Sequence, residues 1–270
     1  MSDDLVITSL QNERIKAIRA LEMRKTRKET GLFVAEGAAL IISARDHGHQ
    51  PVTLAHLAGS AREGVVNGLT TWARQAGADV LAVSSAVLEK IAAKDNPSNV
   101  IGVFRQRTTA PPDPACVPRD ATWVLLDEVR DPGNLGTILR TVDAAGAAGV
   151  ILSGTTCDPW SPECVRASMG SIFAVPIVRL ERPLVLDLIA SWKGDTIATV
   201  LSATTDFRRG EWSGPTLIVM GGEGPGLPDE LSAACRHAVK VPMAGQLDSL
   251  NLAVATALVL YEVRRESLRL

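Results

Sequence analysis

Cysteine is scarce: Cys116, Cys157, Cys164 and Cys235 are the only four in 270 residues, and no two form a C-x-x-C pair. The four histidines, His47, His49, His56 and His237, complete no zinc pattern with them. Disulfides are rare in cytosolic proteins, so isolated free thiols are expected here, with no metal and no thiol redox chemistry. Long hydrophobic runs are missing too. The longest near the C-terminus, Leu250 to Tyr261, falls well short of the roughly 20 apolar residues of a membrane-spanning helix. The start, Met1-Ser-Asp-Asp-Leu5, is acidic and lacks a basic leader, so neither a secretory signal nor a membrane role is expected. A cytoplasmic protein is the default expectation.

Charge of one sign is nearly absent as a whole, at −2, but its distribution is uneven. Residues 1–110 hold 14 Lys/Arg against 11 Asp/Glu, and residues 111–270 hold 14 against 19. The first part is therefore +3 and the second −5. Arg14, Lys16, Arg19, Arg24, Lys25, Arg27 and Lys28 cluster near the start, interrupted by Glu13, Glu22 and Glu29. Such a run suits a solvated helix face. It equally suits a phosphate-binding surface, because closely spaced cations displace counterions from RNA. The cluster alone does not choose.

Four prolines between Thr108 and Pro118 break all periodicity, since proline lacks a backbone donor and biases its predecessor to extended geometry. The segment reads as a linker over 110–119, separating a domain of residues 1–109 from one of residues 120–270. In the first, Ile15, Ile18 and Leu21 give a helix one apolar stripe. Short strands are expected at 32–35, 52–55, 80–83 and 100–104, with helices near 38–46, 67–76 and 85–93. In the second, apolar strands at 123–126, 150–152, 174–178, 197–201, 217–220 and 239–241 alternate with helices. That is the pattern of a mostly parallel α/β sheet covered on both faces. Ligands in such sheets bind beyond the carboxyl ends of the strands.

Three unusual loops fall at those ends. In the first, Pro132-Gly133 turns the chain and Asn134 stands where a helix N-cap is expected. Arg140 follows six residues later among Ile138, Leu139 and Val142, either paired to Asp143 or free to grip phosphate through its planar fork. The second is Gly221-Gly222-Glu223-Gly224-Pro225-Gly226-Leu227, which brings backbone close to any ligand and holds one carboxylate. Its register fits neither the dinucleotide fingerprint nor the P-loop. The third runs Val241-Pro242-Met243 to Ser249-Leu250-Asn251 and enters a helix whose buried stripe is expected at Leu250, Val254, Ala257 and Tyr261. Ser249 reads as its N-cap. Asn251 has no such explanation.

The ordered combination is what carries information. Asn-x5-Arg at 134–140, Gly-x-Glu-Gly-x-Gly-Leu at 221–227 and Pro-Met-x-Gly-x3-Ser-Leu-Asn at 242–251 resemble the SpoU (TrmH-like) family of RNA ribose 2′-O-methyltransferases, within the SPOUT superfamily. The resemblance covers about 122–265. More loosely, Arg24-Lys-Thr-Arg-Lys-Glu-Thr-Gly-Leu-Phe-Val-Ala-Glu-Gly37 is similar to the substrate-binding domain of the rRNA-modifying members. The resemblance implies a SPOUT-type α/β domain tied in a trefoil knot, a smaller N-terminal αβ RNA-binding domain, and a homodimer. It implies S-adenosylmethionine held by backbone around Gly221, Gly222, Val241, Met243 and Leu250. Asn134, Arg140, Glu223, Ser249 and Asn251 are then the catalytic set. Arg14, Lys16, Arg24, Lys25, Arg27, Lys28 and Arg166 are the RNA contacts. Gly222 departs from the family, which more often has a side chain there; a looser loop is the expected consequence. Ribosomal RNA is favoured over tRNA. A non-catalytic RNA binder and a dinucleotide-dependent oxidoreductase are the competing readings, the latter opposed by the glycine register.

Overall fold

The computed structural model describes residues 5–62, 64–92, 98–212 and 214–268. It divides into two compact units, one running to Gln106 and taking in Asp158–Ala174, the other holding Arg107–Cys157 and the residues from Val175 onward. In chain order the first unit opens with α1 (Glu13–Ala20), α2 (Arg24–Thr30), β1 (Leu32–Glu36), α3 (Ala38–Asp46) and β2 (Pro51–Leu57). It continues with α4 (Gly64–Gln75), β3 (Asp79–Val83), α5 (Ser85–Ile91) and β4 (Val100–Arg105). The four strands form one mixed sheet in the order β1-β4-β2-β3. Only β2 and β3 run parallel.

One face of this sheet packs on the stripe expected from the sequence: Ile15, Ile18 and Leu21 lie with Leu81, Val87, Leu88, Ile101 and Val103 in a single cluster. Gly31 ends α2 at φ +66°, a left-handed cap that a side chain resists. After β4 the chain has neither helix nor strand until residue 122.

The second unit begins with β5 (Thr122–Asp127), α6 (Pro132–Ala144) and β6 (Gly149–Ser153). The chain then leaves it. Helix α7 (Pro162–Ala167), capped by the Ser161 hydroxyl, belongs to the first unit. So do its flanking residues: Trp160 and Phe173 stack with Phe33 at centroid distances of 4.8 and 5.7 Å, and Phe173 also meets Phe104. The Arg27 guanidinium binds Asp158 at 2.8 Å, and the Ser43 hydroxyl donates to the Gly170 carbonyl at 3.0 Å. A cut of the sequence at residue 120 therefore leaves part of the first unit's core on the wrong side. Alternation of apolar residues reveals strands and helices but not which core an aromatic pair completes.

Back in the second unit come β7 (Ile177–Leu180), α8 (Arg182–Ser191), β8 (Asp195–Thr199), β9 (Thr205–Asp206), β10 (Thr216–Gly221), α9 (Asp229–Ala234), β11 (His237–Lys240) and α10 (Leu252–Val263). The strand expected at 174–178 starts later, because residues 168–174 are turns that belong to the first unit. All pairings in the seven-stranded sheet β7-β6-β5-β10-β8-β11-β9 are parallel. Central strands β5 and β6 are buried along their whole length. That requires apolar residues on both faces, which is why these strands read as unbroken runs. Trp123, Trp192, Leu217 and Leu231 share one face's core, and the Trp192 indole donates to the Pro215 carbonyl at 2.8 Å.

Helix α10 differs from expectation. Its buried side is Leu252, Ala253, Thr256, Val259 and Leu260. Leu250, Val254 and Tyr261, expected inside, are 38%, 49% and 47% exposed. The helix is apolar all round, so its sequence does not say which stripe faces the sheet. Among the described residues no helix is long and apolar enough to cross a membrane.

Candidate active site

The loops after β5 and β10, neighbouring parallel strands, meet the N-terminus of α10 through side-chain amides. Asp131, not Asn134, caps α6: its Oδ1 accepts from the Asn134 N–H at 2.6 Å, and Pro132 takes the first helical position. Asp before Pro carries that signal in the sequence. Asn134 sits in the first turn with its side chain released for other work. Its Nδ2 donates to Glu223 Oε1 at 2.8 Å, and the Arg130 N–H donates to Glu223 Oε2 at 3.0 Å.

At the other end, Asn251, rather than the expected Ser249, is the N-cap of α10. Its Oδ1 accepts from the N–H groups of Ala253 and Val254 at 2.9 and 3.3 Å. Its Nδ2 donates to Asn134 Oδ1 at 2.9 Å. The capping bonds dictate which end of the Asn251 amide is oxygen. They thereby orient Asn134, whose NH₂ must turn to Glu223. One polarised chain, Asn251 to Asn134 to Glu223, ties the three sequence motifs together.

Partial burial pushes the Glu223 carboxyl upward. The backbone donors, led by Arg130, and the Asn134 amide more than offset this and hold it below its ordinary value. Glu223 is thus an ionised anchor and a poor proton acceptor. Beneath it, Asp127 is buried and raised by desolvation, partly relieved by Ser153 and by Arg182, which lies 2.7 Å away. Arg182 also reaches Glu128 at 3.3 Å, and Glu128 holds a left-handed φ of 56°. Sequence reading passed over Asp127 and Arg182, which lie at the end of one apolar strand and the start of a later helix.

The glycine loop folds back on itself. A Cβ on Gly221 would stand 2.1 Å from the Gly226 and Leu227 backbone. A Cβ on Gly222 would stand 2.4 Å from the Glu128 carbonyl. Gly222 therefore closes the loop onto β5 rather than loosening it. Gly224 and Gly226 take φ of +98° and +74°.

Other expected site residues are not drawn into the amide chain. Arg140 is exposed and makes no ion pair or hydrogen bond among the described residues, so the pairing with Asp143 is absent. Six helical residues place it about 9 Å along α6 and about 240° around from Asn134. Ser249 is exposed and donates to Asp248 at 3.1 Å. Val241 and Met243 are half-buried, while Leu250 is exposed.

Among the basic residues, Arg27 is corrected outright. It is 4% exposed, bound to Asp158 and to the carbonyls of Leu21 and Glu22, and has nothing to offer RNA. Arg14 pairs with Asp79, Lys16 with Glu13 and Lys25 with Glu29, all at exposed positions. Arg24 and Lys28 of α2 and Arg166 of α7 are exposed. No group of three His, Cys, Asp or Glu side chains is placed to hold a metal among the described residues.

A parallel α/β sheet carries a glycine turn, a fixed carboxylate and two asparagines beyond its strand ends, in one chain with a mixed αβ unit. Comparison with known proteins names the kind. Residues 121–261 match the SpoU rRNA Methylase family and residues 12–102 match the MRM3-like substrate binding domain. The chain is 34% identical to an uncharacterised tRNA/rRNA methyltransferase of Synechocystis, over 98% of this chain and 95% of that one. It is 33% identical to the 23S rRNA (uridine(2479)-2′-O)-methyltransferase of Streptomyces viridochromogenes, over 96% and 92%. The crystal structure of an AdoMet-bound rRNA methyltransferase from Sinorhizobium meliloti superposes with a TM-score of 0.88 at 43% identity, covering 97% of this chain and 98% of that one. The chain belongs to the SpoU rRNA methylase family.

Proposed function

We propose that the chain transfers a methyl group from S-adenosylmethionine to a ribose 2′-hydroxyl of ribosomal RNA, in the cytoplasm. The observation that carries this reading is the hydrogen-bonded chain Asn251–Asn134–Glu223, which links all three loops that the motifs single out. The closed glycine turn fits the cofactor. Space at Gly221 and Gly222 is taken by backbone, so the loop offers its edge as main-chain groups; Val241, Met243 and Leu250 are assigned the same part on the third loop. When bound, the cofactor supplies an electrophilic methyl on a sulfonium.

The protein's own contribution is placement. Arg140, exposed and in no ion pair among the described residues, clamps the phosphate beside the target ribose through its planar fork. Asn134 and Asn251 present amide groups in fixed orientation to the ribose. Glu223 keeps Asn134 in place and stays ionised. Positioning of this kind accounts for a large share of a barrier, because reacting atoms must be held in line at near-contact distance. As the methyl group arrives, the hydroxyl proton leaves to solvent, and the part assigned to Arg140 is placement.

The same reading includes a homodimer and a trefoil knot. Val254, Leu258 and Tyr261 of α10 are exposed apolar side chains around an open hollow of about 590 Å³, shared with Thr137 and Thr141 of α6 and with Phe207. A contiguous apolar face of this kind marks an interaction surface. The course of the chain after β11, back across the unit to pack α10 on α6 and β10, suits a knotted end.

The test is methyl transfer from labelled S-adenosylmethionine to purified 23S rRNA, 16S rRNA and bulk tRNA. Incorporation into rRNA with none into tRNA is expected. Incorporation into tRNA alone would replace the substrate half of the proposal.

A further inference from the structure

The first unit contains a cavity of about 400 Å³ that lies outside the active site. Its walls come from remote parts of the sequence: α1, β1, the start of α3, the end of α5, and α7. Ile18, Val34, Leu40, Ile91 and Val165 supply apolar surface. Arg19, Lys90 and Arg166 supply cations, all three exposed and in no ion pair among the described residues. Glu22, Glu36 and Glu163 supply carboxylates, and Glu36 is half-buried with the Ser98 N–H donating to its Oε1 at 3.1 Å.

The walls are held together at a cost. Arg27 and Asp158 form a buried pair, with Arg27 Nε and Nη2 each 2.8 Å from Asp158 Oδ2. Nη1 of Arg27 binds the carbonyls of Leu21 and Glu22 at 2.8 and 2.7 Å. Burying an ion pair is often no more stabilising than apolar packing. What this one does is fix α7 against the α1–α2 turn, and so fix the cavity's shape.

Building on the RNA-methylating reading, we propose that this cavity takes one unstacked guanine nucleotide of the substrate RNA. Its size is at the small end for ligand pockets, suited to a single nucleotide. RNA is recognised in sequence mainly through such splayed bases, which lie on apolar or guanidinium planes and are read on their edges. Three unpaired cations suit the phosphates on either side. Carboxylates accept hydrogen bonds and do not donate them, so they favour a base edge rich in donors. Guanine alone among the four bases offers two adjacent donors there, its N1–H and amino group. Uracil offers one N–H flanked by carbonyls, which a carboxylate repels.

The experiment uses the full chain labelled with ¹⁵N and titrated with GMP, AMP and UMP. The amides of Val34, Leu40, Ile91 and Val165 are expected to shift with GMP at about tenfold lower concentration than with UMP, the scale of one good base contact. Ala92→Trp, which fills the cavity from a half-buried wall position, is expected to abolish these shifts and leave S-adenosylmethionine binding unchanged. Glu36→Gln keeps the oxygen for Ser98 and is expected to erase the preference for GMP; it carries the test if Ala92→Trp does not fold. Shifts elsewhere than the cavity, or equal binding of all three nucleotides, would overturn the proposal. Methyl transfer to rRNA is scored in parallel: a cavity that ignores GMP in an enzyme that methylates rRNA defeats this inference alone, whereas GMP binding without rRNA methylation defeats the functional reading alone.

Discussion

At the scale of single residues, the site depends on which atoms the asparagines and the glutamate offer. Because Glu223 lies below its ordinary value in the folded chain, its ionised form stabilises the site above the usual carboxylate range. That contribution is lost as pH falls through the lowered value. Glu223→Gln is therefore expected to flatten the acid side of a plot of melting temperature against pH, while also lowering methyl transfer at neutral pH. An unchanged acid limb would mean the carboxylate is not held as described. Much of this site was legible: Asn134, Glu223 and Asn251 were singled out by pattern, and they prove to bond to one another. The capping roles were not. The caps are Asp131 rather than Asn134 and Asn251 rather than Ser249, because several polar residues stand near each helix start and only geometry selects among them. Arg27 was misread for a related reason. A basic run shows charge, but not which member turns inward to Asp158.

At the scale of elements, the proposed function gives RNA binding to α2 and assembly to α10. Arg24, Lys25 and Lys28 remain exposed on α2 after Arg27 is withdrawn. Replacing those three with Gln is expected to flatten the slope of log affinity against log salt by about two to three units, near 0.7 to 0.9 per phosphate contact. RNA affinity measured across a salt series by filter binding checks this, and an unchanged slope would make α2 a solvated face only. On α10, Leu258→Glu puts a charge on the exposed apolar side and away from Val259 and Leu260, which pack inward. Light scattering coupled to gel filtration is expected to show a dimer for the native chain and a monomer of native circular dichroism for the variant. A native chain that is monomeric at micromolar concentration would remove the dimer. The helix itself was plain in the sequence; its orientation was not, since a stripe is visible only against a polar background.

At the scale of the whole molecule, six of the seven strands of the parallel sheet were legible, because strands buried on both faces leave long apolar runs, whereas the two-residue edge strand β9 (Thr205–Asp206) leaves none. The interleaving of the two units was not, since it depends on Trp160 and Phe173 finding Phe33 across more than a hundred residues. What the two units do together reduces to one chemical claim, that a methyl group arrives on a ribose oxygen and not on a base. Mass spectrometry of nucleosides from rRNA, methylated in vitro with isotopically labelled S-adenosylmethionine, tests that claim most directly. The native chain is expected to yield a single labelled 2′-O-methylnucleoside. Arg140→Ala is expected to lower its amount by orders of magnitude while binding the cofactor normally, and Arg140→Lys to restore little, because an ammonium lacks the planar fork. Label recovered on a base, or a lysine variant as active as the native chain, would contradict the account.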